Sequence, residues 1–187
     1  MSLSVLKKKI FLCPIFMLIS YCSLASSPLF QQARSSQQSG NYDEAIAAYR
    51  AFLTQPVDES SLTDESLSLY SEALIQLMNT YQSKGESDAC ITALEDVFEV
   101  SPILQDYCLR DYYSVLGYAL SRTERMEEAE QTMLKVFTLP LHNPTPESYF
   151  RDYAYAAAVF YSNPSYQNNV IIWSKEALRQ AELCKNT

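Results

Sequence analysis

The fold class this sequence predicts is all-α, an α-α superhelix of three to four antiparallel helix pairs, and three observations carry it. Apolar residues recur at helical spacing from Leu29 onward, and strand-like alternation is nowhere sustained. Pro56, Pro102 and Pro140 each close an apolar-periodic segment, because proline neither donates an amide nor fits a helix interior. The segments also align with one another as a repeat. Each pair then buries one face on the next, giving a quasi-one-dimensional solenoid whose concave side is lined by the first helices.

Composition agrees. Of 187 residues, 48% are hydrophobic and 19% charged, with a formal charge of −8, so the chain buries a core and is not a disordered acidic tail. Three glycines and one histidine exclude a glycine-rich phosphate cradle, a cluster of His metal ligands and a β-sandwich full of Gly turns. The acidic excess lacks the electrostatic footprint of a nucleic-acid binder. No cofactor or metal is expected.

Lys7, Lys8 and Lys9 form a basic start, Ile10 to Leu24 an apolar run, and Ser23-Leu24-Ala25 the small residues of a cleavage site after Ala25. Residues 1–25 thus read as a signal peptide, and 26–187 as the exported body, placed in the periplasm or cell envelope. The apolar run is shorter than the ~20 residues of a spanning helix. An uncleaved anchor is the alternative, and it would be the body's only membrane contact. Lipid attachment at Cys22 is disfavoured by Tyr21, which stands where a small residue belongs. Cleavage removes three lysines and no acid, so the body is more acidic than the whole chain.

The helix pairs follow in order. The first turns at Gly40-Asn41-Tyr42-Asp43-Glu44-Ala45-Ile46 and continues through Tyr49 and Phe52 to Pro56. The second opens at Thr63, whose hydroxyl caps free N–H groups while Asp64 and Glu65 face the positive dipole end. It turns at Gly85-Glu86-Ser87-Asp88-Ala89-Cys90-Ile91, with Ser87 read as a second cap, and runs through Leu94 and Val97 to Pro102. The third turns at Glu124-Arg125-Met126-Glu127-Glu128-Ala129 and runs through Met133 and Val136 to Pro140. In a degenerate fourth pair, Tyr153, Ala156, Ala157 and Phe160 keep the first-helix spacing and Tyr166 to Leu178 forms the second helix. First helices show a large–x–x–large–small–x–x–large order, as in Leu74, Leu77, Met78, Tyr81 and Tyr113, Leu116, Gly117, Leu120.

This arrangement resembles the tetratricopeptide repeat (TPR). The resemblance puts Ala45, Cys90 and Ala129 at the small position early in each second helix, Gly117 at the small position of a first helix, and Gly40 and Gly85 in the interhelix turns. It covers residues 26–140 well and 146–178 poorly. The period is irregular, with extra residues at 57–62 and 103–107.

Cys13 and Cys22 lie in the signal. Cys90, Cys108 and Cys184 are too few for a disulfide framework, and whether any two of them pair is open. His142, in a proline-rich connection, reads as an exposed loop residue. Glu127 and Glu128 are explained by the helix dipole. No triad or acidic pair supports catalysis, and the chain reads as a non-enzyme.

Partner contact falls to the first helices. Arg34, Asn79, Gln82, Tyr118, Arg122 and Arg151 are expected to line the concave face, a mildly basic, hydrogen-bonding surface suited to an extended peptide or acidic chain end. The lysine-rich clamp of chaperone-tail-binding TPR proteins is missing, since Phe30 and Arg34 stand on the first helix and no lysine occurs between Ile103 and Arg122. The function expected is a protein-binding scaffold. The alternative is the exported sensory region of a bacterial two-component protein, a likeness suggested by Arg122-Thr123-Glu124-Arg125 and Ala154-Tyr155-Ala156-Ala157-Ala158. The last helix, with Val170, Ile171, Ile172, Leu178 and Leu183, would dock on a partner copy or be followed by more chain, a bare patch favouring the latter.

Overall fold

The computed structural model describes residues 27–140 and 145–185. Residues 1–25, read above as a signal peptide, and His142 lie outside the described residues. Among the described residues nine α-helices follow one another: α1 (Pro28–Gln38), α2 (Tyr42–Thr54), α3 (Asp64–Lys84), α4 (Ser87–Val100), α5 (Pro102–Asp106), α6 (Leu109–Leu120), α7 (Met126–Val136), α8 (Pro146–Phe160) and α9 (Gln167–Cys184). Single 3-10 turns at Glu59–Ser61 and Pro164–Tyr166 precede α3 and α9. No strand occurs among the described residues.

Four antiparallel pairs result: α1/α2, α3/α4, α6/α7 and α8/α9. Every substantial interhelix contact joins members of one pair or of neighbouring pairs, or involves the short α5 beside α4 and α6. That connectivity defines a one-dimensional stack.

The turns between paired helices use glycine where the chain demands it. Gly40 and Gly85 sit at φ +77° and +74°, a left-handed conformation costly for any residue with a Cβ. The Gly85 N–H donates to the Gln82 carbonyl at 3.0 Å, closing α3. Thr63 caps α3 through a reciprocal box with Ser66, and Thr145 does the same for α8 with Ser148. Ser87 does not cap α4; it is the first helical residue, and the N-cap position belongs to Glu86, whose side chain makes no cap bond. Pro102 both ends α4 and starts α5, because its missing N–H is an orphan donor anyway at the first helical position. The connection around 103–107 is therefore helical, and Gln105 Nε2 donates to the Phe98 and Glu99 carbonyls at 2.8 and 3.1 Å, capping the open end of α4. The last helix runs to Cys184, six residues beyond Leu178.

Small residues sit where helices approach. Ala45 and Ala129 are fully buried and Cys90 is nearly so. A Cβ built on Gly117 would lie 3.2 Å from both the backbone N and the Cε of Met133 on α7. Aromatics then join one pair to the next. Phe52 meets Tyr70 at 4.8 Å between ring centroids, Phe98 stacks on Tyr112 at 4.0 Å, and Phe137 stacks on Trp173 at 5.4 Å. In each case a ring from the end of a second helix is passed to the following pair.

At the far end of the stack, α9 buries Trp173, Ala177 and Gln180 and leaves Ile171, Ile172, Leu178 and Leu183 exposed. Cys90 and Cys108 are buried thiols, each pushed up to about 12 chiefly by desolvation. The Cys108 thiol donates to the Leu67 carbonyl at 3.9 Å.

Candidate functional site

The first helices α1, α3, α6 and α8 meet along one side of the stack, and polar contacts stitch them. Gln37 Nε2 donates to Gln76 Oε1 at 3.2 Å between α1 and α3, while Tyr49 donates to Gln37 Oε1 at 2.8 Å. Ser71 Oγ donates to Asp111 Oδ2 at 2.7 Å between α3 and α6. The other oxygen of Asp111 accepts from the Arg151 guanidinium on α8. Arg151 also donates to Asp152 Oδ1 at 3.0 Å, and Asp152 Oδ2 accepts from Arg110 Nε at 2.8 Å. Arg110 in turn donates to the Leu139 carbonyl at 2.5 Å. Asp152 is fully buried and Arg151 is 8% exposed. Two cations and two carboxylates thus neutralise one another out of water, the only way such burial is tolerated.

Arg151 is therefore not a lining cation on offer to a partner. Its charge is consumed by Asp111 and Asp152, and it fastens α8 to α6. Sequence reading missed this cluster although Ser71, Asp111 and Arg151 stand at successive intervals of 40 residues.

That spacing fixes the register of the remaining candidates. Counting from the Ser71–Asp111 contact, Asn79 on α3 falls alongside Tyr118 and Ala119 on α6, and Gln82 falls alongside Ser121 and Arg122. Tyr118 is half-buried and stacks on Tyr155 of α8, with ring centroids 4.4 Å apart and planes within 15°. Tyr155 was not anticipated as part of the site. Burial pushes its hydroxyl up to about 12, with Arg151 opposing, so it stays a neutral donor. Arg122 is exposed, just past the end of α6. The Gln82 Nε2 atom is buried without a hydrogen-bond partner among the described residues. Such a donor costs about 1–3 kcal/mol until it meets an acceptor.

Arg34 stands apart, at the start of the stack. Its guanidinium lies 4.0 Å from Glu72 and 5.9 Å from the Phe30 ring centroid, and the side chain is 38% exposed. Burial raises the Glu72 carboxyl above its ordinary range, with Arg34 pulling the other way. The site thus divides: Arg34 at one end, a closed salt-bridge cluster on the lower half of α6 and α8, and an amide, aromatic and cationic strip formed by Asn79, Gln82, Tyr118 and Arg122 at the upper ends of α3 and α6.

A depression of about 310 Å³ lies between α2 and α4 beside Arg50, Thr54, Asp96 and Val100, with Arg50 paired to Asp96 at 2.9 Å. Among the described residues no group of three or more His, Cys, Asp or Glu side chains is placed to hold a metal ion. No described helix is long and apolar enough to cross a membrane.

Comparison with known proteins agrees with the helix pairs. Residues 27–54 and 111–142 match the tetratricopeptide repeat family. The first stretch spans α1 and α2, and the second most of α6 and all of α7. No curated protein matches the chain. Solved structures do, among them the crystal structure of MamA protein at 18% identity, covering 82% of this chain and 90% of that one with a TM-score of 0.40. Two stretches of the chain match the tetratricopeptide repeat, and the same pairing of helices continues through α3/α4 and α8/α9, so the described residues form an all-α helical-repeat superhelix.

Proposed function

We propose that this chain is an exported, non-catalytic scaffold that binds a protein or an extended peptide on its first-helix side. The observation that carries the reading is the strip formed by Asn79, Gln82, Tyr118 and Arg122. It offers the Asn79 amide in register with a stacked tyrosine and an exposed cation, above the buried Gln82 amide and beside a salt-bridge cluster that fastens α6 to α8. Peptide carbonyls would accept from Asn79, an apolar or planar side chain would lie on Tyr118, and an acidic group would meet Arg122. Affinity would come from groups already held in place by packed helices, so little ordering entropy is lost on binding. Tetratricopeptide repeats serve in general as protein-interaction modules, which supports the same reading.

Photo-crosslinking probes at Asn79 and Tyr118, with one at Thr92 on the exposed side of α4 as control, test it. Adducts are expected from the first two positions and lost on Arg122→Glu. Adducts from Thr92 alone would refute the assignment. Export rests on the basic and apolar start of the sequence. Its test is the mass of the protein recovered from the cell envelope, expected to begin at residue 26.

A further inference from the structure

We infer that the strip at the upper ends of α3, α6 and α8 takes a proline-rich segment in the extended polyproline conformation. The inference rests on the peptide-binding reading above and narrows its ligand. Rings beside small side chains make up the surface. Tyr118 and Tyr155 stack on one another, and each is half-buried. On α8, Ala154, Ala158 and Tyr161 follow at intervals of four and three, adjoining Tyr155, so they share one stripe. Ala158 is exposed, and Tyr161 is 74% exposed and keeps helical backbone angles. Tyrosines thus flank a floor of alanines, a surface on which flat pyrrolidine rings can lie.

Hydrogen-bonding capacity then selects the occupant. The Asn79 amide, the Tyr118 and Tyr155 hydroxyls and the exposed Arg122 guanidinium all donate. Carboxylates that could answer a peptide N–H are committed or remote. Asp111 accepts from Ser71 and Arg151, and both oxygens of Asp152 accept from arginines. Glu72 faces Arg34 at 4.0 Å, and Glu147 lies at the lower end of α8 beside Cys184. What remains to accept is an amide oxygen and a few hydroxyl oxygens. An ordinary extended peptide brings one N–H per residue, and those turned to the strip would lose water with little to replace it. Proline has no N–H, and the polyproline helix leaves its carbonyls free to accept. Such a segment is also ordered before it binds, so little entropy is lost on docking to side chains already fixed by packing.

Fluorescence anisotropy of a labelled decaproline peptide, titrated with the full chain, tests this. Saturable binding is expected, at least about tenfold tighter than that of a glycine–serine decapeptide, and weakened at least about tenfold by Ala158→Glu. Ala158 is exposed and glutamate is a good helix former, so the variant should keep its helicity and melting temperature. Tyr161→Ala, at an exposed position, serves as a second probe and should also weaken binding. No saturable binding of decaproline, or equal binding of the two peptides, overturns the inference. Decaproline binding indifferent to both substitutions overturns it as well, since the peptide then sits elsewhere. Crosslinks from Asn79 and Tyr118 that persist in those cases would keep the peptide-binding reading and remove only the proline preference; their loss would remove both.

Discussion

A single absent methyl group sets the distance between α6 and α7. The neighbours of a Cβ at Gly117 include the backbone N of Met133 at 3.2 Å, and backbone does not yield as a side-chain end does. Gly117→Val should therefore lower stability by about 1–3 kcal/mol through overpacking, read as a lower urea midpoint. Gly85 is the contrast. Nothing lies within 4 Å of its Cβ position, so Gly85→Ala costs only the left-handed backbone, about 1–2 kcal/mol. These positions were legible because close approach and positive φ admit few residue types. Arg151 was not, since the partners that bury it come from helices distant in sequence and a lone arginine reads as surface. Arg151→Met should cost about 3–5 kcal/mol, because Asp152 keeps Arg110 while Asp111 loses its cation. The thiols add a pH effect. Folding raises Cys90 and Cys108 from 9.0 to about 12, so their protonated forms favour the native state; that stability is whole below pH 9 and is lost as pH rises toward 12. Alkaline unfolding should accordingly begin earlier in the native chain than in a Cys90→Ala, Cys108→Ala variant, followed by circular dichroism.

Among the elements, the helix starts separate true caps from apparent ones. Thr63 accepts from the Ser66 N–H at 3.2 Å and Ser66 Oγ accepts from the Thr63 N–H at 2.8 Å, so each satisfies an orphan donor. Thr63→Ala should cost about 1 kcal/mol, and adding Ser66→Ala should cost less than the sum, since the two form one unit. Ser87→Ala should leave the melting temperature nearly unchanged, because Gly85 and Glu86 hold the turn and Ser87 caps nothing. The error at Ser87 is instructive: Ser followed by Asp is the right chemistry, one residue too late once the left-handed glycine has placed the chain. Helix ends were legible where proline or glycine imposes them. They were less so where packing decides, as in α9, whose repeat spacing was read as far as Leu178 although the helix runs on to Cys184 with Gln180 buried. The helical insert α5 escaped notice because Pro102 was read only as a stop, whereas proline equally begins a helix.

The whole molecule is a chain of local contracts, and its cooperativity should reflect that. Among the described residues every substantial contact between pairs joins neighbours, through Phe52–Tyr70, then Phe98–Tyr112, then Phe137–Trp173, so a defect at one end has no strong direct route to the other. The repeated order of large and small residues made this stack legible from sequence alone. What escaped was the cross-repeat polar cluster, which concentrates on α6 and α8 and makes that half of the stack the more tightly bound. Phe30→Ala tests the consequence. Phe30 is fully buried against Tyr49 and Phe52, at 5.9 and 5.5 Å between centroids, and its loss should cost about 3–5 kcal/mol locally. Amide hydrogen exchange should then accelerate across residues 28–54, fall off through α3 and α4, and stay at native rates in α8 and α9. Uniform acceleration along the chain would mean a single cooperative core. The gradient is the signature of a stack whose ends open independently, and it leaves the strip at Asn79 and Tyr118 intact while the first pair frays.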